Sequence, residues 1–198
     1  MKTSVQDSSA NCDFLYRWQI EGNYTCSNPK PIKWPQPPAG WTALNCNGLV
    51  LGEGIGGYGA IGRDDTGRAV FGIAGATLEH NILRMELMAI KTGLMKASCL
   101  GLSQIQVRSD SLSAVQSISG RYKVPWYLRE LVEEILTLRN CFRSCVFVHH
   151  VREINSCADF LVGFLTSCQE IHLCTTSLPP ALSRIIREDA AGKTYYRM

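Results

Sequence analysis

Apolar positions along the chain follow two periods, and the switches between them mark the elements. Regular patterning begins at "GWTALNC", after an irregular first stretch. "YGAIGRDDTGRAVFGIAGAT" then reads as a strand, a turn around Asp65 and Gly67, and a second strand. The period lengthens in "HNILRMELMAIKTGLMKASCLG", where Leu83, Leu87, Ile90 and Leu94 share one helical face up to a stop at Gly101. "SQIQVRSD" returns to alternation, with Ile105, Val107 and Ser109 facing one way. "SLSAVQSISG" predicts a short helix with Leu112, Val115 and Ile118 inward. "WYLRELVEEILTLRNCF" predicts a longer one striped by Leu128, Leu131, Val132, Ile135 and Leu138. "CVFVHHV" reads as a strand, and "NSCADFLVGFL" as a helix capped by Asn155, with Ala158, Leu161, Val162 and Leu165 inward.

Three strands in meander, then helix, strand, two helices, strand and helix describe a mixed α/β domain. Its sheet is antiparallel on one side and joined by parallel crossovers on the other. Residues 1–33 run into the proline cluster "NPKPIKWPQPPAG" and read as an extended arm, because proline fixes φ and removes a backbone donor. The domain is expected over 34–167 and a tail over 168–198.

Composition narrows the class. A hydrophobic fraction of 45% with 19% charged residues is that of a foldable globular chain. The net charge of +3 permits a nucleic-acid partner without demanding one. No apolar run reaches membrane-spanning length, and "MKTSVQDSSANCDF" lacks a signal-peptide core, so an intracellular site, nucleus or cytoplasm, is expected. A monomer is the expectation for oligomeric state. The nine cysteines are scattered with no C-x-x-C pair, which suits reduced thiols rather than a zinc site.

"NCNGLVLGEGIGGYGA" holds a G-x-G-x-x-G spacing at Gly52, Gly54 and Gly57. A dinucleotide fingerprint requires a helix opening on its last glycine and an acid about twenty residues on. Here a strand follows and the acid is missing, so these glycines are expected in a hairpin or bulge.

Three carboxylates break their surroundings. Glu86 falls on the apolar face of its helix, three residues after Leu83 and four before Ile90. A carboxylate there is costly unless it is paired, bound to a cation, or able to reach solvent at the edge of the stripe. Asp110 ends a strand where a helix begins, as a site residue or a plain N-cap. Asp159 stands at the start of the last helix, flanking its inward stripe or favouring its positive end. Together they suit a divalent-cation site of oxygen ligands.

With "GYGAIGRDDTG", "LRMELMAIKTGLMKA", "VRSDSLSAV" and "HHVREINSCADFL" in this order and spacing, the chain resembles the plant ribonuclease H-like domains of non-LTR retroelement reverse transcriptases and their stand-alone relatives. The resemblance implies a ribonuclease H-like α/β fold, a five-stranded mixed sheet flanked by helices. It also implies a two-metal Mg²⁺ or Mn²⁺ site that hydrolyses the RNA strand of an RNA/DNA hybrid. Carried onto this sequence, the family's ligand positions are Asn47, Glu86, Asp110 and Asp159. His149, opening H-x-x-R-E, takes the place of a histidine assisting product release or proton transfer, with His150 as the alternative register.

Asn47 departs from that pattern. Where the family has an aspartate bridging both ions, an amide offers one weak ligating oxygen and two N–H donors. Losing about 4 to 6 kcal/mol of the second ion's contribution would slow cleavage about 10³- to 10⁴-fold. Three functions follow as expectations. The first is a nucleic-acid-binding domain descended from a hybrid ribonuclease, with cleavage impaired. The second is an active metal-dependent endoribonuclease, and the third an interaction module or retroelement relic with neither activity. "RYKVPWYLRE" bears on the choice, either as a basic and aromatic handle for nucleic acid or protein, or as a helix entry with Trp126 packed inward.

Overall fold

The computed structural model describes residues 5–6, 24–25, 29–50, 54–164 and 169–197. Its larger compact unit runs from Lys33 to Lys193. The small unit, of residues outside those limits, carries the short parallel strand pair Val5–Gln6 and Tyr24–Thr25.

The larger unit follows the expected order. β1 (Thr42–Val50), β2 (Ile55–Arg63) and β3 (Ala69–Leu78) form an antiparallel meander. Helix α1 (Ile82–Cys99) leads to β4 (Gln104–Ser109), α2 (Leu112–Ile118), α3 (Arg129–Arg139), β5 (Ser144–His149) and α4 (Ser156–Gly163). β4 pairs in parallel with β1 on one side and β5 on the other.

The sheet has six strands rather than five. Residues beyond 168, expected as a tail, include β6 (Glu170–Leu173), which pairs antiparallel to β3, and helix α5 (Pro180–Ala190). The sheet order is β5-β4-β1-β2-β3-β6. β6 is only four residues long and too short to show alternation. α5 buries Leu182 and Ile186 against Ile61, Ala74, Cys157 and Leu161. That apolar stripe holds it to the face also covered by α4.

The opposite face is covered by α1 and α3, whose Leu87, Ile90, Leu94, Leu131 and Ile135 pack on Leu44, Ala60, Phe71 and Val107. The stripe expected on α2 is rotated. Leu112 is 50% exposed, while Ala114, Ser117 and Ile118 are buried. In so short a helix small side chains can take the inward positions, because they allow close approach. Trp126 is 78% exposed, which overturns the inward-packed reading of the α3 entry; Leu128, in the 3₁₀ turn Trp126–Leu128, is the residue that fills the core there.

The Asn47–Gly48 pair is not a turn. Both residues lie inside β1, where a Cβ on Gly48 would come 2.4 Å from the Glu86 amide nitrogen. Only glycine lets the backbone of α1 lie on the strand this closely. Of the other glycines in that stretch, Gly54 has φ +76° just before β2 and Gly57 lies within β2, with no helix opening on it; Gly52 falls outside the described residues.

Candidate active site

The four positions singled out as ligands meet at one edge of the sheet, each delivered by a different element. Asn47 comes from the middle of β1, Glu86 from α1 where it crosses Gly48, Asp110 from the residue after β4, and Asp159 from the first turn of α4. Asp110 does not act as an N-cap. Ser111 takes that role by accepting from the Ala114 amide at 3.3 Å, which leaves the aspartate for the edge.

Glu86 is 6% exposed and does not reach solvent. Burial first, and then the neighbouring charge of Asp110, push its carboxyl from the ordinary 4.5 up to about 8. Opposing influences come from the Gly48 backbone and from Ser109, whose Oγ donates to Glu86 Oε2 at 3.4 Å. Asp110 is raised mainly by burial, with its own backbone, Asn155 and Arg152 pulling the other way and Asp159 adding to the rise. At neutral pH this edge is therefore less negative than three carboxylates suggest.

Asn47 is 6% exposed, and its Nδ2 donates to Asp159 Oδ1 at 3.0 Å. The flipped amide would set oxygen against an acceptor-only carboxylate, so the donor orientation is the physical one. Arg152 approaches the same oxygen at 3.6 Å from a largely exposed position, where an ion pair contributes little.

Sequence reasoning assigned Asn155 to the cap of α4, but its side chain makes no capping bond. Its Nδ2 donates to the Cys46 carbonyl at 2.9 Å and to Asp110 Oδ1 at 3.2 Å. Its Oδ1 accepts from Asn45 Nδ2 at 3.0 Å, and Asn45 Oδ1 accepts from Trp34 Nε1 at 3.2 Å. A polar chain thus runs from Asp110 through Asn155 and Asn45 to Trp34, near the start of the larger unit. Its sequence signal was the alternation of Asn45 and Asn47 on one face of β1.

His149 Nε2 lies 3.1 Å from the Asp110 carbonyl, exposed at the end of β5. His150 Nδ1 is buried with no hydrogen-bond partner among the described residues. Burial, then the charges of Arg108 and His149, push that ring down to about 4, so it stays neutral at physiological pH. Of the two registers, His149 is the one beside the acids.

Among the described residues, no three His, Cys, Asp or Glu side chains form a group suited to hold a metal ion. One oxygen of Asp159 accepts from the Asn47 amide and one oxygen of Asp110 accepts from Asn155, and Asn47 itself would offer a cation a neutral donor set in place of a carboxylate. The residues present do not fit a two-ion site.

Comparison with known proteins decides the lineage. The sequence pattern of the reverse transcriptase-like family matches residues 39–164. The chain belongs to that family. An Arabidopsis thaliana protein named as a ribonuclease H is 26% identical over 197 residues, covering 91% of this chain. The chain spans only 31% of that relative's length. Among solved structures, the N-terminal RNase H domain of a Mycobacterium tuberculosis protein superposes with a TM-score of 0.60 at 27% identity, over 63% of this chain and 91% of that one. LC11-RNase H1, solved with an RNA/DNA hybrid, gives 0.58 at 26% identity, over 62% and 94%. The larger unit of this reverse transcriptase-like protein is an RNase H-like domain.

Proposed function

We propose that the domain binds nucleic acid, RNA/DNA hybrid above all, and that it has lost efficient cleavage. The observation that carries this is the Asn47 Nδ2 bond to Asp159 Oδ1 at 3.0 Å. The amide hydrogen occupies the space between two side chains that would have to share a cation. It also gives one oxygen of that carboxylate a neutral hydrogen-bond donor in place of a cation. Glu86, with its carboxyl up to about 8, adds little negative charge at neutral pH and repels a phosphate backbone less than an ionised acid would.

The nucleic-acid partner draws support from a second region. Trp126 and Tyr127 are 78% and 46% exposed, their rings edge to face, and Arg121, Lys123 and Arg129 are exposed around them. The Tyr127 hydroxyl accepts from Asn81 Nδ2 at 3.0 Å, and Asn81 caps α1, the helix that carries Glu86. Aromatic faces beside cations are the chemistry of a strand-binding surface. The hybrid bound by LC11-RNase H1 suggests the form of ligand.

The test is a titration of labelled hybrid and duplex DNA across salt concentration. Binding that prefers hybrid and weakens steeply with salt supports the reading, because phosphate contacts release counterions and 2′-hydroxyls distinguish the hybrid. Replacing Arg121 and Lys123 together by alanine should weaken hybrid binding about tenfold. Absence of hybrid binding at low salt would leave an interaction module with neither activity.

A further inference from the structure

A cleft of about 610 Å³ opens at the other end of the parallel strands, outside the acid edge. Trp41, Arg139, Asn140, Arg143 and Ser144 line it, with Cys145 among its buried residues. Trp41 precedes β1 and Ser144 opens β5, whereas Asp110 and His149 mark the far ends of β4 and β5. The run of β5 from Ser144 to His149 puts roughly 16 Å of strand between the two places.

The cleft carries cations and no acid. Both arginines are exposed, neither forms an ion pair among the described residues, and no Asp or Glu lines the walls. The Arg139 charge acts inside it, since it is the influence that pulls down the Cys145 thiol, which burial raises to about 11. The C-terminal end of α3 adds about half a negative charge, against two full guanidinium charges. Trp41 is half-buried and held in place. Its amide donates to the Pro38 carbonyl at 2.9 Å, and the Gly40 amide donates to Asp65 Oδ2 at 2.7 Å. The Asn140 amide supplies a donor and an acceptor beside the ring. An aromatic face, a side-chain amide and paired guanidinium groups are what a planar base and its phosphate need, stacking for one and charge-assisted bonds for the other.

We infer that this cleft is a nucleotide-binding site, with the base against Trp41 and the phosphate between Arg139 and Arg143. The site does not depend on the acid edge or on the reading given to Asn47. The nucleotide is either a free nucleoside monophosphate or one unit of a single strand.

The experiment titrates the full chain with adenosine monophosphate, inorganic phosphate and a short single-stranded RNA, using calorimetry and tryptophan fluorescence. The monophosphate should bind and quench, and inorganic phosphate should bind more weakly. Arg139→Ala with Arg143→Ala should weaken monophosphate binding at least about tenfold without changing the circular dichroism spectrum or melting temperature. Trp41→Leu should weaken the monophosphate while leaving inorganic phosphate unchanged. Equal loss of RNA binding in the arginine variant assigns the site to a strand, and loss confined to the monophosphate assigns it to a free nucleotide. No binding of any probe up to about 1 mM, or equal affinities in the native and arginine-variant chains, would overturn the inference.

Discussion

Two groups of charge are buried around one sheet, and they are satisfied in opposite ways. On the face covered by α4 and α5, Arg63 is fully buried and meets Asp189 Oδ2 at 2.8 Å, with its Nε donating to the Gly67 carbonyl at 3.1 Å. Trp34 lies under Arg63 at 3.6 Å and within 5.1 Å of Arg108, which donates to the Pro35 carbonyl and is held down to about 10 by burial and by Arg63. Every charge there has partners, and the group ties α5 to the sheet. At the acid edge Glu86 is buried and Asp110 half-buried, and no ion pair joins either to a cation among the described residues. Both carboxyls are pushed up, although the Arg152 charge pulls Asp110 the other way. The first arrangement belongs to stability. The second is a cost to folding, the kind of arrangement that makes the edge a candidate functional site.

That contrast can be broken at either end. The largest effect is expected from Asp189→Leu, which strands Arg63 as a buried unpaired charge; chemical denaturation should show about 3–5 kcal/mol of lost stability. At the other end, Glu86→Gln should stabilise. Glu86 holds its proton more tightly folded than unfolded, so wild-type stability falls as pH rises from 4.5 to about 8. The variant should therefore exceed wild type by about 2–4 kcal/mol above pH 8, with the advantage gone below pH 4.5. A variant that destabilises across this range would refute the picture of an unpaired acid. Smaller still is Asp64→Ala, which removes the carboxylate accepting from Thr66 and Arg68 in the β2–β3 turn; thermal melts should show about 0.5–1.5 kcal/mol lost. Trp126→Ala should change stability by no more than about 0.5 kcal/mol, because the ring is exposed, while weakening nucleic-acid binding.

The acid edge was legible in sequence because its residues violate local pattern. Glu86 interrupts an apolar stripe, and Asp110 and Asp159 stand at element ends, where topology does the gathering. The cationic group was not legible. Arg108 shares its strand face with Gln104 and Gln106 and so reads as outward-facing, and Arg63 is a lone charge ending its strand; both are interior because α4, α5 and Trp34 cover that face. Asn155 looked like a cap because asparagine before a helix usually is one, and only the fold shows its side chain turned to Asp110. β6 was hidden by its length, and the outward turn of Leu112 by the weak periodicity of a seven-residue helix.

The most direct test of the central claim is cleavage of a labelled RNA/DNA hybrid in Mg²⁺ and in Mn²⁺. It compares the native chain, Asn47→Asp, and Asn47→Asp combined with Asp110→Asn, after mass spectrometry confirms that Asn47 is still an amide. The account predicts that the native chain binds without cutting, that Asn47→Asp restores cleavage about 10³-fold or more, and that the added Asp110→Asn abolishes it. A native chain that cuts as fast as Asn47→Asp would contradict it.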